Sequence, residues 1–161
     1  MWRNSQFQEN RLKSAIISPM TISGLNFIGV LVAFVVSFIS GAIWFGPKTF
    51  YPVWMKARGV ESGELTQNQN KPALLFGGTA VALLIQIVTL AIIITSLQKF
   101  QPDFGILDGA GVGFALGVGI AMCASLSHRL FAGEGLKVWI IETANDAINL
   151  TIAGAIIGFF N

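Results

Sequence analysis

Residues 74–97 read LLFGGTAVALLIQIVTLAIIITSL, a stretch of 24 residues without a charged side chain. A bilayer hydrocarbon core about 30 Å thick takes roughly 20 helical residues to cross. In lipid only a helix or a closed barrel satisfies its backbone groups, and the sequence lacks the alternating segments of about ten residues that are typical of a barrel. The stretch therefore predicts a membrane-spanning helix.

Three more stretches have the same length and apolar character, at about 25–45, 106–126 and 138–160. The connections 98–105 and 127–137 are short, so sequential helices are expected to run antiparallel. The predicted fold is an all-α membrane protein, a four-transmembrane-helix antiparallel bundle. Residues 20–161 form its single transmembrane domain, and residues 1–19 form a polar N-terminal tail.

The composition agrees with this class of protein. Hydrophobic residues make up 53% of the 161 residues and charged residues 11%, and the mean hydropathy is +0.69. A soluble domain carries about 25% charged residues, so a soluble globular fold is excluded. The net charge of +2 comes without a basic cluster on one face, and no nucleic-acid partner is expected. The single cysteine, Cys123, excludes an intrachain disulfide.

The loops suggest an orientation. The loops 46–73 and 127–137 hold six Lys and Arg residues against four on the opposite side, or against one if synthesis begins at Met20. The positive-inside rule then places these two loops in the cytoplasm, and we expect the chain to reside in the bilayer of a bacterial inner membrane. Aromatic and basic residues in the first half of loop 46–73 are typical of a segment at the lipid headgroups.

Small residues repeat every four positions along two of the predicted spans, which favours close helix packing in lipid. The third span has Gly105, Gly109, Gly113 and Gly117, a run that we call the glycine ridge. The first span has Ala33, Ser37 and Gly41 at the same spacing. In the second span the expected inward face holds Thr79, Ala82, Gln86 and Thr89.

The fourth span carries an unusual polar stripe of Glu142, Asn145, Asp146 and Asn149, at spacings that place all four on one side of a helix. The stripe cannot lie wholly outside the membrane. Residues 147–160 amount to 14 residues, or roughly 21 Å of helix, which is too short to cross. Ionisable residues inside a membrane are expensive and indicate function.

Two interpretations of this stripe remain open. In the first, it binds or passes a proton, a cation or a small polar solute. In the second, its side chains form hydrogen bonds that hold helices, protomers or a partner protein together. Matching depths in an antiparallel bundle give the candidate intramembrane site Glu142, Asn145, Asp146, Asn149, Gln86, Thr79 and Ser37.

Other chemistries have weaker support. A metal site of Glu142, Asp146 and His128 suffers from a single histidine at the rim, so no metal is expected. No nucleophile stands beside a base and no glycine-rich phosphate loop is present, so neither enzymatic activity nor a cofactor is expected. Four spans are few for a complete transport pathway. We therefore expect a homo-oligomer or a membrane-protein partner.

The end of the first span carries a family resemblance. Asn26, the run Gly41-Ala42-Ile43-Trp44-Phe45-Gly46-Pro47 and the following Trp54-Met55-Lys56 resemble the small bacterial membrane proteins grouped as domain of unknown function 1761, with Phe45 where those proteins usually have Tyr. The glycine-rich third span and the fourth span ending in Gly154-x-x-x-Gly158 are similar too. The resemblance covers roughly residues 20–161. It implies four helices, but it carries no activity and transfers no functional residues.

Overall fold

The structure, a computed structural model, describes residues 24–59, 72–101 and 103–160. The predicted tail 1–19 and most of the polar half of loop 46–73 lie outside the described residues. The described chain contains helices and no strand. The helices are α1 (Phe27–Trp44), α2 (Tyr51–Ala57), α3 (Pro72–Gln98), α4 (Ile106–Phe131) and α5 (Gly135–Phe160).

Four of these helices, α1, α3, α4 and α5, are long and apolar enough to cross a membrane. Their most apolar 18-residue windows have mean hydropathies of 2.4, 2.5, 1.8 and 1.2. The predicted fold class is thus confirmed: the chain is a multi-pass membrane protein with four spanning helices. The third span is longer than predicted, because α4 continues to Phe131, with a wider π-helical turn over Gly117–Met122.

Helices α1 and α5 run antiparallel, as their contacts show. Asn26 caps the start of α1, where its Oδ1 accepts hydrogen bonds from the backbone of Ile28 and Gly29, and its Nδ2 donates to the carbonyl oxygen of Phe160 at 2.8 Å. At the other end of α1, Trp44 Nε1 donates to the carbonyl oxygen of Ile141 at 3.0 Å. Both ends of α1 are therefore held to α5.

The turn between α4 and α5 is tight. Gly133 and Gly135 have φ values of +74° and +77°, which side-chain-bearing residues rarely adopt. The start of α4 is stabilised by Asp108, whose carboxylate accepts a hydrogen bond from the Gly105 N–H at 2.9 Å. Such caps let the helices reverse direction within a few residues.

Helix α5 is the centre of the bundle, since it packs against α1, α3 and α4. Half of its most apolar window is buried, against 17–22% in the other three spans. The glycine ridge lies in the contact of α4 with α5. A Cβ built on Gly109 would overlap the carbonyl oxygen of Gly154, and one on Gly113 would overlap that of Leu150.

The apolar core lies beside this contact, where α1, α3 and α5 meet. Helix α3 contributes Ile87, Leu90, Ala91 and Ile94 to it, all at most 1% exposed. By contrast, none of residues 73–86 of α3 is buried. Only the second half of α3 therefore packs fully into the bundle.

Candidate functional site

The polar stripe lies on the buried helix of the bundle. Asn145 and Asn149 are 9% and 7% exposed, and Glu142 and Asp146 are half-buried. Because α5 runs over residues 135–160, Asp146 lies about 2 Å along the helix axis from its middle. The structure thus places amide and carboxyl groups halfway along a membrane-spanning helix.

Two asparagines form the inner part of the stripe. Asn149 Nδ2 donates a hydrogen bond to Asn145 Oδ1 at 3.2 Å, and Ser37 Oγ of α1 donates to the backbone carbonyl oxygen of Asn149 at 3.4 Å. Gly41 faces the same pair, since a Cβ built on it would lie 3.6 Å from Asn149 Nδ2. The small residues of α1 therefore let its backbone approach the asparagines.

Asn149 Oδ1 is the exception among the buried polar side-chain atoms of the described residues, because it accepts no hydrogen bond. A buried acceptor without a donor costs about 1–3 kcal/mol. The carboxylate of Asp146 lies beside Asn145 on the same helix. These acceptors could receive a proton donor or a cation.

Glu142 has a different environment, at the end of the bundle where α1 stops. Its Oε1 accepts a hydrogen bond from Trp54 Nε1 at 2.9 Å, and its Oε2 lies 2.8 Å from Arg129 Nε. Arg129 also pairs with Glu134, which in turn lies 3.2 Å from Arg58 NH2. We call these five residues the interfacial charge network.

The network is closed by a stacking contact, because the Arg58 guanidinium lies 4.8 Å from the centre of the Trp54 ring. It joins α2, the end of α4 and the start of α5. Glu142 is therefore held by a cation and an indole and is not a free ligand. The stripe predicted as one site is divided into an interfacial carboxylate, Glu142, and an intramembrane group of Asn145, Asp146 and Asn149.

A family model described as "Protein of unknown function (DUF1761)" matches residues 28–158 of the chain. The chain belongs to the DUF1761 family. This confirms the resemblance that was noted in the sequence. No curated protein and no solved structure matches the chain.

The motif that carries the DUF1761 resemblance has a structural explanation. Asn26, Trp44 and Trp54 each donate a side-chain hydrogen bond to α5, at its last residue, at Ile141 and at Glu142. Gly41 faces the asparagine pair, and Gly46 lies in the turn after α1 with Pro47 exposed beside it. These motif residues hold α1 and α2 against α5.

Two residues of the predicted site lie elsewhere in this DUF1761 protein. Gln86 and Thr79 are exposed on α3, as are Ala82 and Thr89, so the expected inward face of this helix is wrong. The apolar residues Ile87, Leu90 and Ile94 face inward instead. The physical reason is that the hydroxyls of Thr79 and Thr89 donate hydrogen bonds to backbone carbonyl oxygens of α3 itself, at 2.7 and 2.8 Å. They therefore need no partner in the interior of the bundle.

The sequence predicted Trp54 as part of the family motif, but it did not connect Trp54, Arg58 or Glu134 with Glu142. It assigned the aromatic and basic residues around Trp54 to a membrane-surface segment, and α2 does form there. The sequence did contain a signal for these contacts, because Arg58, Arg129 and Glu134 lie in the two connections that were predicted on the same side of the membrane. His128 is exposed, and the described residues contain no cluster of three or more His, Cys, Asp or Glu that could hold a metal ion.

Proposed function

We propose that the DUF1761 chain binds a proton, a cation or a small polar solute at Asn145, Asp146 and Asn149, and that it carries this ligand through the membrane. The observation that supports this most is the buried Asn149 Oδ1, which has no donor within the described residues. In lipid such a group is costly, and a bound hydrogen-bond donor would satisfy it.

The charge of the site favours a cationic or proton-donating ligand. Asp146 offers a carboxylate and Asn149 an unused acceptor oxygen. The arginines nearest along the stripe, Arg58 and Arg129, are paired with glutamates of the interfacial charge network. An anion would find no free positive partner there and would meet the charge of Asp146.

The packing of α3 suggests a route for the ligand to Asp146 from one side of α5. Asp146 shares a face of α5 with Ala153 and Ile157, which are 0% and 2% exposed in the core shared with α3. The buried residues of α3 begin only at Ile87. The first half of α3 is therefore packed less closely against the face of α5 that carries Asp146. A small ligand could therefore reach the carboxylate between α3 and α5.

Binding is proposed here in preference to catalysis or assembly. The neighbours of Asp146 along the stripe are the amides of Asn145 and Asn149, which do not serve as nucleophiles or as general bases at neutral pH, and the carboxylate of Glu142, which is held by Arg129 and Trp54. The asparagine pair and the glycine ridge make their contacts within one chain, which leaves them little surface for a partner.

The test is ion flux into proteoliposomes, followed with a pH-sensitive dye for protons and with sodium and potassium gradients. We expect Asp146→Asn to abolish the flux while the protein still folds and inserts, because the substitution removes the charge and keeps the shape. Asp103→Asn makes the same chemical change in an exposed loop and should leave the flux unchanged. Equal flux in both variants, or none in the unaltered protein, would show the proposal to be wrong.

We also propose a bacterial inner-membrane location, with the end that holds the interfacial charge network in the cytoplasm. The support is the set of Lys and Arg residues at that end, which includes Arg58, Arg129, Lys48, Lys56 and Lys137. Cytoplasmic loops of membrane proteins carry such an excess of positive residues.

A further inference from the structure

The outer flank of α3 carries a line of small and polar residues that the bundle leaves uncovered. Thr79, Ala82, Gln86 and Thr89 are all exposed. Gln86 is one residue before the fully buried Ile87, so it lies about 100° around the helix from that contact. This flank is distinct from the site on α5 and from the glycine ridge.

Gln86 lies at the middle of its span, with 14 residues before it to Pro72 and 12 after it to Gln98. Its carboxamide has two donor hydrogens and an acceptor oxygen. Within the described part of the chain no hydrogen bond involves this side chain. Thr79 and Thr89, by contrast, donate to the carbonyl oxygens of Leu75 and Ile85. Gln86 is therefore the group on this flank that requires an outside partner.

We propose that this flank binds a second copy of the chain, with Gln86 of one copy hydrogen-bonded to Gln86 of the other. A two-fold axis along the bilayer normal keeps equivalent residues at equal depth, so the two amides meet near the midplane. A carboxamide is complementary to itself, since each donates and accepts. Ala82, one turn away, is small enough for the two backbones to approach closely.

The small residues of the glycine ridge and of α1 are not available for this role. Gly109, Gly113 and Gly117 are buried against α5 within the chain, and Ser37 and Ala33 are buried on α1. The flank of α3 combines small residues with an unsatisfied polar group at mid-membrane depth. The inference does not depend on the solute proposed for Asp146, which lies on another helix.

Cysteine cross-linking in lipid vesicles tests this contact. In a Cys123→Ser background, Ala82→Cys should give a disulfide-linked dimer of twice the 17.3 kDa chain mass under mild oxidation. Leu84→Cys is the matched control, because Leu84 is 43% exposed on the other side of the same turn. We expect it to remain monomeric. Cross-linking at both positions or at neither, or of Ala82→Cys to a different protein, would overturn the proposal.

Gln86→Leu provides a second readout. Losing an interhelical hydrogen bond of this kind should weaken dimerisation about 3- to 30-fold, measured by energy transfer between labelled chains in vesicles. Leu84→Ala should leave it unchanged. A dimer of undiminished affinity in Gln86→Leu would contradict the role given to Gln86. Ion flux that persists in a monomeric Gln86→Leu protein would leave the proposed function intact while separating it from dimerisation.

Discussion

Glu142 and Asp146 lie one helical turn apart on α5, and their environments differ. Glu142 contacts Arg129 and Trp54 directly, whereas the side-chain contact of Asp146 is with Asn145. The spacing along the sequence predicted that both face one side, which they do. It could not show the division between them, because Trp54 is 88 residues away from Glu142 along the chain and its position depends on the whole bundle.

A double-mutant cycle on Glu142 and Arg129 tests the interfacial charge network. Glu142→Gln and Arg129→Gln should each lower the free energy of unfolding by about 1–3 kcal/mol, between the values for surface and buried ion pairs, because each leaves the other charge partly buried. The double variant should cost less than the sum. The measurement is unfolding by titration with a denaturing detergent, and strictly additive effects would contradict the contact.

Among the helices, the close packing of the glycine ridge on α4 was predicted from the sequence, whereas its partner α5 was not and the inward face of α3 was predicted wrongly. Gly109 and Gly113 recur at helical spacing, and close backbone approach requires them wherever the ridge packs. For α3, threonine hydroxyls can bond within their own helix, so a polar face does not have to point inward.

The glycine ridge yields a prediction with a control on the same helix. Gly113→Ala should destabilise the protein by about 1–3 kcal/mol, because the added Cβ would overlap the Leu150 carbonyl oxygen. Gly111→Ala meets nothing within 4 Å and should be neutral or stabilise by up to about 1 kcal/mol through helix propensity. Detergent unfolding of the two variants checks this. Equal stability would argue against the α4–α5 contact.

At the scale of the whole molecule, length and hydropathy predicted four spans and their antiparallel order, since lipid leaves few other folds open. The central position of α5 was not predicted. The sequence did contain a signal for this position, because the mean hydropathy of α5, 1.2, is the lowest of the four spans. In the structure half of the same 18-residue window is buried. The least apolar helix gains most from being shielded from lipid by the others.

The orientation of the molecule is also open to measurement. A reporter enzyme active only in the cytoplasm, fused after residue 161, should be inactive, and the same reporter inserted in the turn 132–134 between α4 and α5 should be active. The expectation rests on the Lys and Arg residues at the end that holds Arg58 and Arg129. The opposite pattern would place this end outside.

The intramembrane group of Asn145, Asp146 and Asn149 is tested most directly by a structure of the protein in lipid at a resolution that shows ordered water and ions. The account predicts density within about 2.7–3.2 Å of Asn149 Oδ1, a hydrogen-bond distance, that also contacts the Asp146 carboxylate. Dry packing around Asn149, or a lipid chain against Asp146 with no polar density between them, would contradict it.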